Sequence, residues 1–226
     1  MKSIRRPRSR SRPCNRSSMP GYGVDPLQLA DATLKQLIDE LGARTPAPGG
    51  GAAASVTAAV GSALGAMVIN WSLTRKSLQE HRESNQRHLD ALQAGASRSL
   101  QLADEDARAY ESLNTIMKLP EDDATRLAEW DTAVEAAMAP PVETLRLCAE
   151  MAANLAGLAG TTNPMLKSDL AAAAVLVEAG GRTAAWNIHA NLPLIGEARA
   201  VELTGEAQTL LTELRRIATE VEQACR

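Results

Sequence analysis

The sequence predicts an all-α fold, an up-and-down bundle of about seven helices. Apolar residues recur at helical spacing between Gly and Pro breaks, first at Leu27, Ala30, Leu34, Leu37, Ile38 and Leu41. No segment alternates apolar and polar residues over the length of a strand. The chain of 226 residues has no Phe, 3 Trp and 2 Tyr, so its core must be built from Ala, Leu, Val and Met. Such a composition favours closely packed helices over sheets.

Gly and Pro residues set the expected bounds of the helices. Asp25-Pro26 is typical of an N-cap followed by Pro at the first helical position, and Gly42 follows the first apolar stripe. Pro120 ends the long third helix, and Pro140-Pro141 separate the fourth helix from the fifth. The helices expected after the first cover residues 51–73, 80–118, 121–139, 142–159, 168–191 and 196–226.

Residues 1–22 form a basic tail that we expect to be disordered, ahead of a helical domain over 23–226. The first 18 residues contain seven Lys or Arg and no acid, and they lack the apolar run of a secretory signal. Two interpretations stay open. The tail is either a dispensable extension upstream of Met19 or an arm for targeting or nucleic-acid binding.

Charge and cysteine content narrow the class of protein. The whole chain has 24 Lys and Arg and 27 Asp and Glu, and 7 of the basic residues lie in the tail. The rest of the chain therefore has 17 basic and 27 acidic residues, a net charge of −10. Such a charge makes this part of the protein a poor nucleic-acid binder. Cys14, Cys148 and Cys225 lack the spacing of a disulfide framework or a zinc site. We therefore expect a cytoplasmic protein without a bound metal.

A charge-free run from Gly49 to Leu73 follows the stretch TPAP and has three possible interpretations. It is long enough to cross a bilayer, but it consists mostly of Ala, Gly, Ser and Thr. A phosphate loop requires Gly-Lys-Ser/Thr after a strand, and this run has neither. A buried helix is favoured, because small residues at helical spacing let backbones approach closely, here Ala54, Ala58, Gly61 and Gly65. This helix is preceded by Gly49, Gly50 and Gly51. These glycines either expose backbone N–H groups to a ligand or form only a flexible turn that leads into the helix.

Three segments, in order along the chain, give the sequence a family resemblance. ARTPAPGGGAAASVTAAVGSALGAMV, residues 43–68, resembles the Pro-Gly-Gly-Gly signature of the cyclodeaminase/cyclohydrolase family. This family includes the C-terminal domain of formiminotransferase-cyclodeaminase and stand-alone methenyltetrahydrofolate cyclohydrolases. DEDARAYESL at 104–113 and NPMLKSDLAAAAVLVEAGGRTAAWNIHANL at 163–192 are similar to two further family segments.

The resemblance implies an all-helical, dimeric enzyme whose substrate is a tetrahydrofolate derivative and which uses no metal. Members either cyclise 5-formiminotetrahydrofolate to 5,10-methenyltetrahydrofolate with loss of ammonia, or hydrolyse the methenyl form to 10-formyltetrahydrofolate. Either reaction can use a positioned carboxylate, as an acid toward the departing amine or as a base toward water. The sequence does not separate the two activities. The alternative is a non-catalytic helical dimerisation module that kept the fold.

Asp106 and Asp169 are the carboxylates that the resemblance assigns to catalysis. Asp106 has Tyr110 one turn later on the same face of a helix. Its other interpretation is a solvated acid beside its acidic neighbours. Asp169 follows Ser168 in the Ser-Asp pair of the family pattern, and the resemblance makes Ser168 a substrate-binding residue. The same pair equally suits an N-cap and a first-turn acid.

Four further side chains are candidates for substrate binding. Arg75 and Lys76 match basic residues of the family and would take the folate glutamate tail, although cations also suit a helix C-terminus. Asn187 and Asn191 suit a pterin edge, or else interhelical hydrogen bonds. Asp169 and Asn187 are 18 residues apart, roughly 27 Å along a helix. An antiparallel partner subunit would bring them together, which predicts a site at or near a homodimer interface.

The sequence departs from the family pattern at two positions. Ala52 stands where the family often has Ser, which removes a hydroxyl near the glycines. His189 has no counterpart in the pattern, and we expect it to be a core histidine. His81 and His88 have no third ligand beside them, so they do not predict a metal site.

Overall fold

A computed structural model of the protein describes residues 28–226. The basic tail over 1–22, the Asp25-Pro26 cap and Cys14 lie outside the described residues. The described part contains helices and no strand, as the sequence predicted. Its six α-helices are α1 (Leu34–Leu41), α2 (Gly50–Leu73), α3 (Arg82–Met117), α4 (Ala124–Ala156), α5 (Lys167–Asn191) and α6 (Glu197–Ala224).

The expected break at Pro140-Pro141 is wrong, because α4 continues through both prolines. A proline has no N–H to donate to the carbonyl four residues earlier, so Pro140 and Pro141 remove the donors that a regular helix would supply to the carbonyls of Ala136 and Ala137. Both prolines are buried, and α4 packs along its length against α3, α5 and α6. This packing outweighs the local preference of proline to end a helix, so the expected fourth and fifth helices are one.

Helix α1 begins later than its apolar stripe suggested. Thr33 and Gln36 form a capping box, in which the Gln36 N–H donates to the Thr33 hydroxyl at 3.2 Å and the Thr33 N–H donates to Gln36 Oε1 at 2.9 Å. Only a short 3-10 turn, Leu29–Asp31, precedes this cap within the described residues.

Helix α2 is the centre of the bundle and packs against α3 on one side and α5 on the other. A Cβ added to Gly61 would lie 2.9 Å from Val177 Cγ2 on α5, and one added to Gly65 would overlap Leu155 on α4. The helix is long and apolar enough to cross a membrane, but 61% of its most apolar 18-residue window is buried inside the bundle. The prediction of a closely packed core helix is confirmed.

Helices α2 and α5 run antiparallel, and this arrangement positions the two ends of the bundle. Gly50 at the start of α2 lies beside Asn187 near the end of α5. At the other end, the Asn163 N–H just before α5 donates to Ser72 Oγ near the end of α2 at 2.9 Å. Between them lies a core of Ala, Leu, Val, Ile and Met side chains, including Val68, Ile69, Met151, Leu155 and Val177.

Candidate active site

A cavity of about 380 Å³ lies where the start of α2 meets the second half of α3 and the last turns of α5. It brings together six residues that the sequence singled out, namely Gly49, Gly50, Gly51, Asp106, Asn187 and Asn191. A loop before α2 and an apolar wall complete the lining, with Pro46, Ala47, Tyr110, Leu113, Met117, Ala137, Ala190 and Leu194.

The glycines at the start of α2 leave room for two polar side chains. A Cβ on Gly50 would lie 3.1 Å from Asn187 Oδ1, and a Cβ on Gly51 would overlap the carboxylate of Asp106. Gly49 is the N-cap of α2 and makes no side-chain capping bond. The glycine run therefore lets a carboxylate and an amide approach the helix start, where free backbone N–H groups favour electron-rich groups.

Asp106 is the one carboxyl group among the described residues that line the cavity. Burial disfavours its charged form and raises its pKa from 3.8 to about 6. The backbone N–H of Ala52, in the first turn of α2, donates to the carboxylate and lowers the pKa, but this effect is smaller than that of burial. A carboxyl group that titrates near neutral pH suits a general acid or a general base.

The three consecutive acids at 104–106 have three different surroundings. Asp104 is buried and accepts the backbone N–H of Leu29 at 2.5 Å. Glu105 pairs with Arg98 at 2.6 Å, and Arg98 also pairs with Glu143 of α4 at 2.7 Å. Of the three, only Asp106 lines the cavity, because successive residues of a helix point about 100° apart. The alternative of a solvated surface acid is wrong for Asp106.

Asn187 and Asn191 are held by hydrogen bonds to the protein. The Asn187 side-chain amide donates to the Thr183 carbonyl at 2.9 Å, and that of Asn191 donates to the Ala137 carbonyl of α4 at 3.3 Å. An amide has two donor hydrogens and one acceptor oxygen, so each side chain retains groups for a ligand. Asn191 forms the interhelical hydrogen bond that was one of its two interpretations, and it also lines the cavity.

Four predicted site residues lie at the opposite end of the bundle. Arg75 and Lys76 follow the end of α2, and both are exposed. Ser168 and Asp169 are in the first turn of α5, roughly 27 Å along that helix from Asn187. One chain does not bring these four residues to the cavity, so their assigned roles stay predictions that require a partner subunit.

The apolar wall was largely missed from the sequence. Asp106, Tyr110, Leu113 and Met117 line one face of α3, and their spacing of four, three and four residues is a helical pattern visible in the sequence. Ala137 comes from α4, and no local pattern indicates it.

His189 is exposed and contacts Trp186 edge-on with ring centroids 6.0 Å apart, so the expected core histidine is wrong.

Within residues 28–226, no group of three or more His, Cys, Asp or Glu side chains is arranged to hold a metal ion. The fold and the cavity define a class of protein: an all-α bundle with a cavity at a glycine-led helix start, lined by one carboxyl group and two side-chain amides. A family model described as formiminotransferase-cyclodeaminase matches residues 33–209. The chain belongs to this family.

Relatives of known name extend the comparison. The formimidoyltransferase-cyclodeaminase of Sus scrofa is 31% identical over 187 residues, which cover 80% of this chain and 35% of the relative. The Rattus norvegicus protein of the same name is 33% identical over 169 residues, 73% of this chain and 31% of its own. The chain thus spans about a third of the length of these relatives.

Two similar proteins have nearly the same extent as this chain. The methenyltetrahydrofolate cyclohydrolase of Methylorubrum extorquens is 31% identical over 188 residues, 80% of this chain and 89% of the relative. The crystal structure of a formiminotetrahydrofolate cyclodeaminase from Thermotoga maritima superposes with a TM-score of 0.77 at 26% identity, and the match covers 86% of this chain and 96% of that one.

Proposed function

We propose that the protein is a folate one-carbon enzyme, either a formiminotetrahydrofolate cyclodeaminase or a methenyltetrahydrofolate cyclohydrolase. The observation that carries the proposal is the Asp106 carboxyl group, which faces a cavity of about 380 Å³ beside Asn187 and has a pKa raised to about 6. The names of the similar proteins supply the substrate class.

In the cyclodeaminase reaction, N10 of 5-formiminotetrahydrofolate attacks the formimino carbon and forms a tetrahedral centre. The departing nitrogen carries one hydrogen, takes a second from N10–H as N10 bonds to the carbon, and takes a third from protonated Asp106. The carbon–nitrogen bond to it then breaks, ammonia leaves the cationic methenyl product, and Asp106 is left ionised. A pKa of about 6 keeps a usable fraction of the acid form at neutral pH.

In the cyclohydrolase reaction, the ionised Asp106 carboxylate accepts a proton from a water molecule that attacks the methenyl carbon. The bond from that carbon to N5 then breaks with its electron pair on N5, the proton of the new hydroxyl group passes to N5 as the carbonyl forms, and the formyl group stays on N10. The negative charge also stabilises the cationic methenyl bridge before the attack. The same carboxyl group therefore serves both reactions in opposite protonation states.

The test is to supply each substrate separately and to follow the absorbance of the methenyl group. A cyclodeaminase makes this chromophore appear and releases ammonia, whereas a cyclohydrolase makes it disappear. No change with either substrate at high enzyme concentration contradicts the proposal and favours a non-catalytic bundle.

The proposed enzyme is a homodimer whose second copy covers the open face of α2. Val60 and Trp71 on this face are 52% and 64% exposed, although α2 is otherwise the core helix. Met67 lies between them and contributes to a groove with Ala96 of α3. A second copy accounts for this apolar face. In such a dimer, the end of the partner's bundle that carries Arg75, Lys76, Ser168 and Asp169 would complete the cavity.

Sedimentation of Trp71→Lys tests the dimer, with Leu127→Lys as the matched control. Leu127 is 70% exposed on α4, so its replacement changes charge and apolar surface similarly. We expect Trp71→Lys to sediment as a monomer with lower turnover and Leu127→Lys to behave like the unmodified protein. A monomeric unmodified protein with full turnover contradicts the proposed assembly.

A cytoplasmic location is also proposed. Cys148 and Cys225 are free thiols in the described part of the chain, which suits a reducing compartment. Burial raises the pKa of the Cys148 thiol to about 12, so it stays protonated and unreactive. Fractionation of the source cells, with detection by antibody, tests the location, and recovery from an organelle or the medium contradicts it.

A further inference from the structure

The carbonyl of Ala137 has lost its intrahelical hydrogen-bond donor. In a regular helix this carbonyl accepts the N–H of the residue four positions later, but that residue is Pro141, which has none. Ala137 is only 4% exposed, so bulk water has little access to it. A buried carbonyl without a partner is costly, and helix α4 therefore needs an outside donor at this point.

Asn191 supplies that donor from the neighbouring helix. Its side-chain amide donates to the Ala137 carbonyl at 3.3 Å, and both residues line the candidate active site. The bond restricts the rotation of the Asn191 side chain and so fixes the direction of its amide oxygen and its second N–H. Both of these groups stay available to a ligand in the cavity.

We infer that Pro141 is a positioning residue for the active site. By removing one backbone N–H, it makes the Ala137 carbonyl an acceptor that orients the Asn191 amide toward the substrate. The identity of that substrate rests on the proposed function, whereas the coupling of Pro141 to Asn191 does not.

The adjacent Pro140 provides a matched control within the same helix. It frees the carbonyl of Ala136 in the same way, but Ala136 is exposed and does not line the cavity. Because Ala136 is exposed, water can satisfy that carbonyl. Replacement of either proline by alanine restores one backbone N–H in α4, but only Pro141→Ala gives the Ala137 carbonyl its own helical donor.

The experiment compares Pro141→Ala, Pro140→Ala, Asn191→Ala and the double variant Pro141→Ala/Asn191→Ala. For Pro141→Ala we expect a KM for the folate substrate about 3- to 10-fold higher, the effect of one neutral hydrogen bond, with kcat nearly unchanged. Pro140→Ala should leave KM unchanged. In the double variant, the KM should equal that of Asn191→Ala alone, because the two residues act through the same bond.

Thermal unfolding gives a readout that does not depend on turnover. Asn191→Ala should lower the Tm by about 2–4 °C in the unmodified protein, because it leaves the Ala137 carbonyl without a donor. In the Pro141→Ala background, Asn191→Ala should lower the Tm by less than half as much as in the unmodified protein. The alanine at position 141 then supplies the backbone N–H that the Ala137 carbonyl needs.

Two outcomes overturn the inference: equal KM changes in Pro140→Ala and Pro141→Ala, or an equal loss of Tm for Asn191→Ala in both backgrounds. If neither folate substrate is turned over, the proposed function fails, and the thermal comparison alone decides whether Pro141 positions Asn191.

Discussion

The carboxylate of Asp106 on α3 lies against the backbone of Gly51 at the start of α2, in space that any larger residue at 51 would need. This contact links two of the sequence segments that carry the family resemblance. The glycine run and the acidic segment are about fifty residues apart in the chain. The carboxylate can occupy its position only because residue 51 has no side chain. The glycine gives the carboxylate its place beside the free N–H groups of the helix start.

Gly51→Ala should therefore displace Asp106 while the bundle stays folded. We expect kcat to fall about 10- to 100-fold, the usual effect of a misplaced catalytic group, with a small change in Tm. Gly196→Ala is the control, since Gly196 is the N-cap of α6 and a Cβ there meets nothing within 4 Å. Normal kcat in Gly51→Ala would show that the close contact has no role in catalysis.

Asp106→Asn removes the titrating proton and keeps the shape of the side chain. Turnover should fall about 10²- to 10⁴-fold, while folate binding, measured by calorimetry, persists. Glu105→Gln is the neighbouring control, because Glu105 pairs with Arg98 and does not line the cavity. A similar loss in both variants would point to a general effect of charge on α3 in place of a catalytic role for Asp106.

The raised pKa of Asp106 also makes stability depend on pH. Its pKa is about 6 in the folded protein and near 3.8 when unfolded, so between these values the folded state holds a proton that the unfolded state has lost. The free energy of unfolding should therefore fall as pH rises from about 4 to about 6, by on the order of 2–3 kcal/mol.

Asp106→Asn tests this linkage, because it removes the titration. Above pH 6 the variant should be more stable than the unmodified protein, and the difference should disappear near pH 4. Urea unfolding at a series of pH values measures both curves. A difference that does not vary between pH 4 and pH 7 contradicts the buried-carboxyl explanation.

Much of the fold follows from local sequence signals. The ends of α2 near Leu73, of α3 near Met117 and of α5 at Asn191 were predicted from changes in periodicity and from Gly and Pro positions. The continuation of α4 through Pro140-Pro141 was not, because the rule for proline is local and the packing that overrides it comes from the neighbouring helices.

The candidate site was predicted only in part, because its geometry also depends on how the helices pack against one another. The sequence indicates that residues 104–106 are acidic, but the rotation of α3 about its axis decides which of them faces the cavity. The antiparallel pairing of α2 and α5 then separates Arg75 and Asp169 from Asn187 within one chain. The link from Ala137 to Asn191 required both the missing proline N–H and the neighbouring helix.

Gly65 tests the close packing of the central helix. Gly65→Leu would overlap Leu155 and press on Leu92, which lies 3.1 Å from an added Cβ. We expect a loss of about 1–3 kcal/mol or more in the free energy of unfolding. Gly205→Ala is the control, because it is also within a helix and meets nothing within 4 Å. A Gly65→Leu protein as stable as this control would mean that the bundle repacks freely at this position.

The dependence of kcat/KM on pH assigns the protonation state of Asp106 in the reaction. This ratio reports groups of the free enzyme, so its inflection should fall near pH 6. Cyclohydrolase turnover should rise through pH 6 and then level, because the base must be ionised. Cyclodeaminase turnover should fall above pH 6, because the acid must be protonated. Asp106→Asn should remove the inflection, whereas Glu105→Gln should keep it. An inflection near pH 6 that survives in Asp106→Asn would assign the acid–base step to another group.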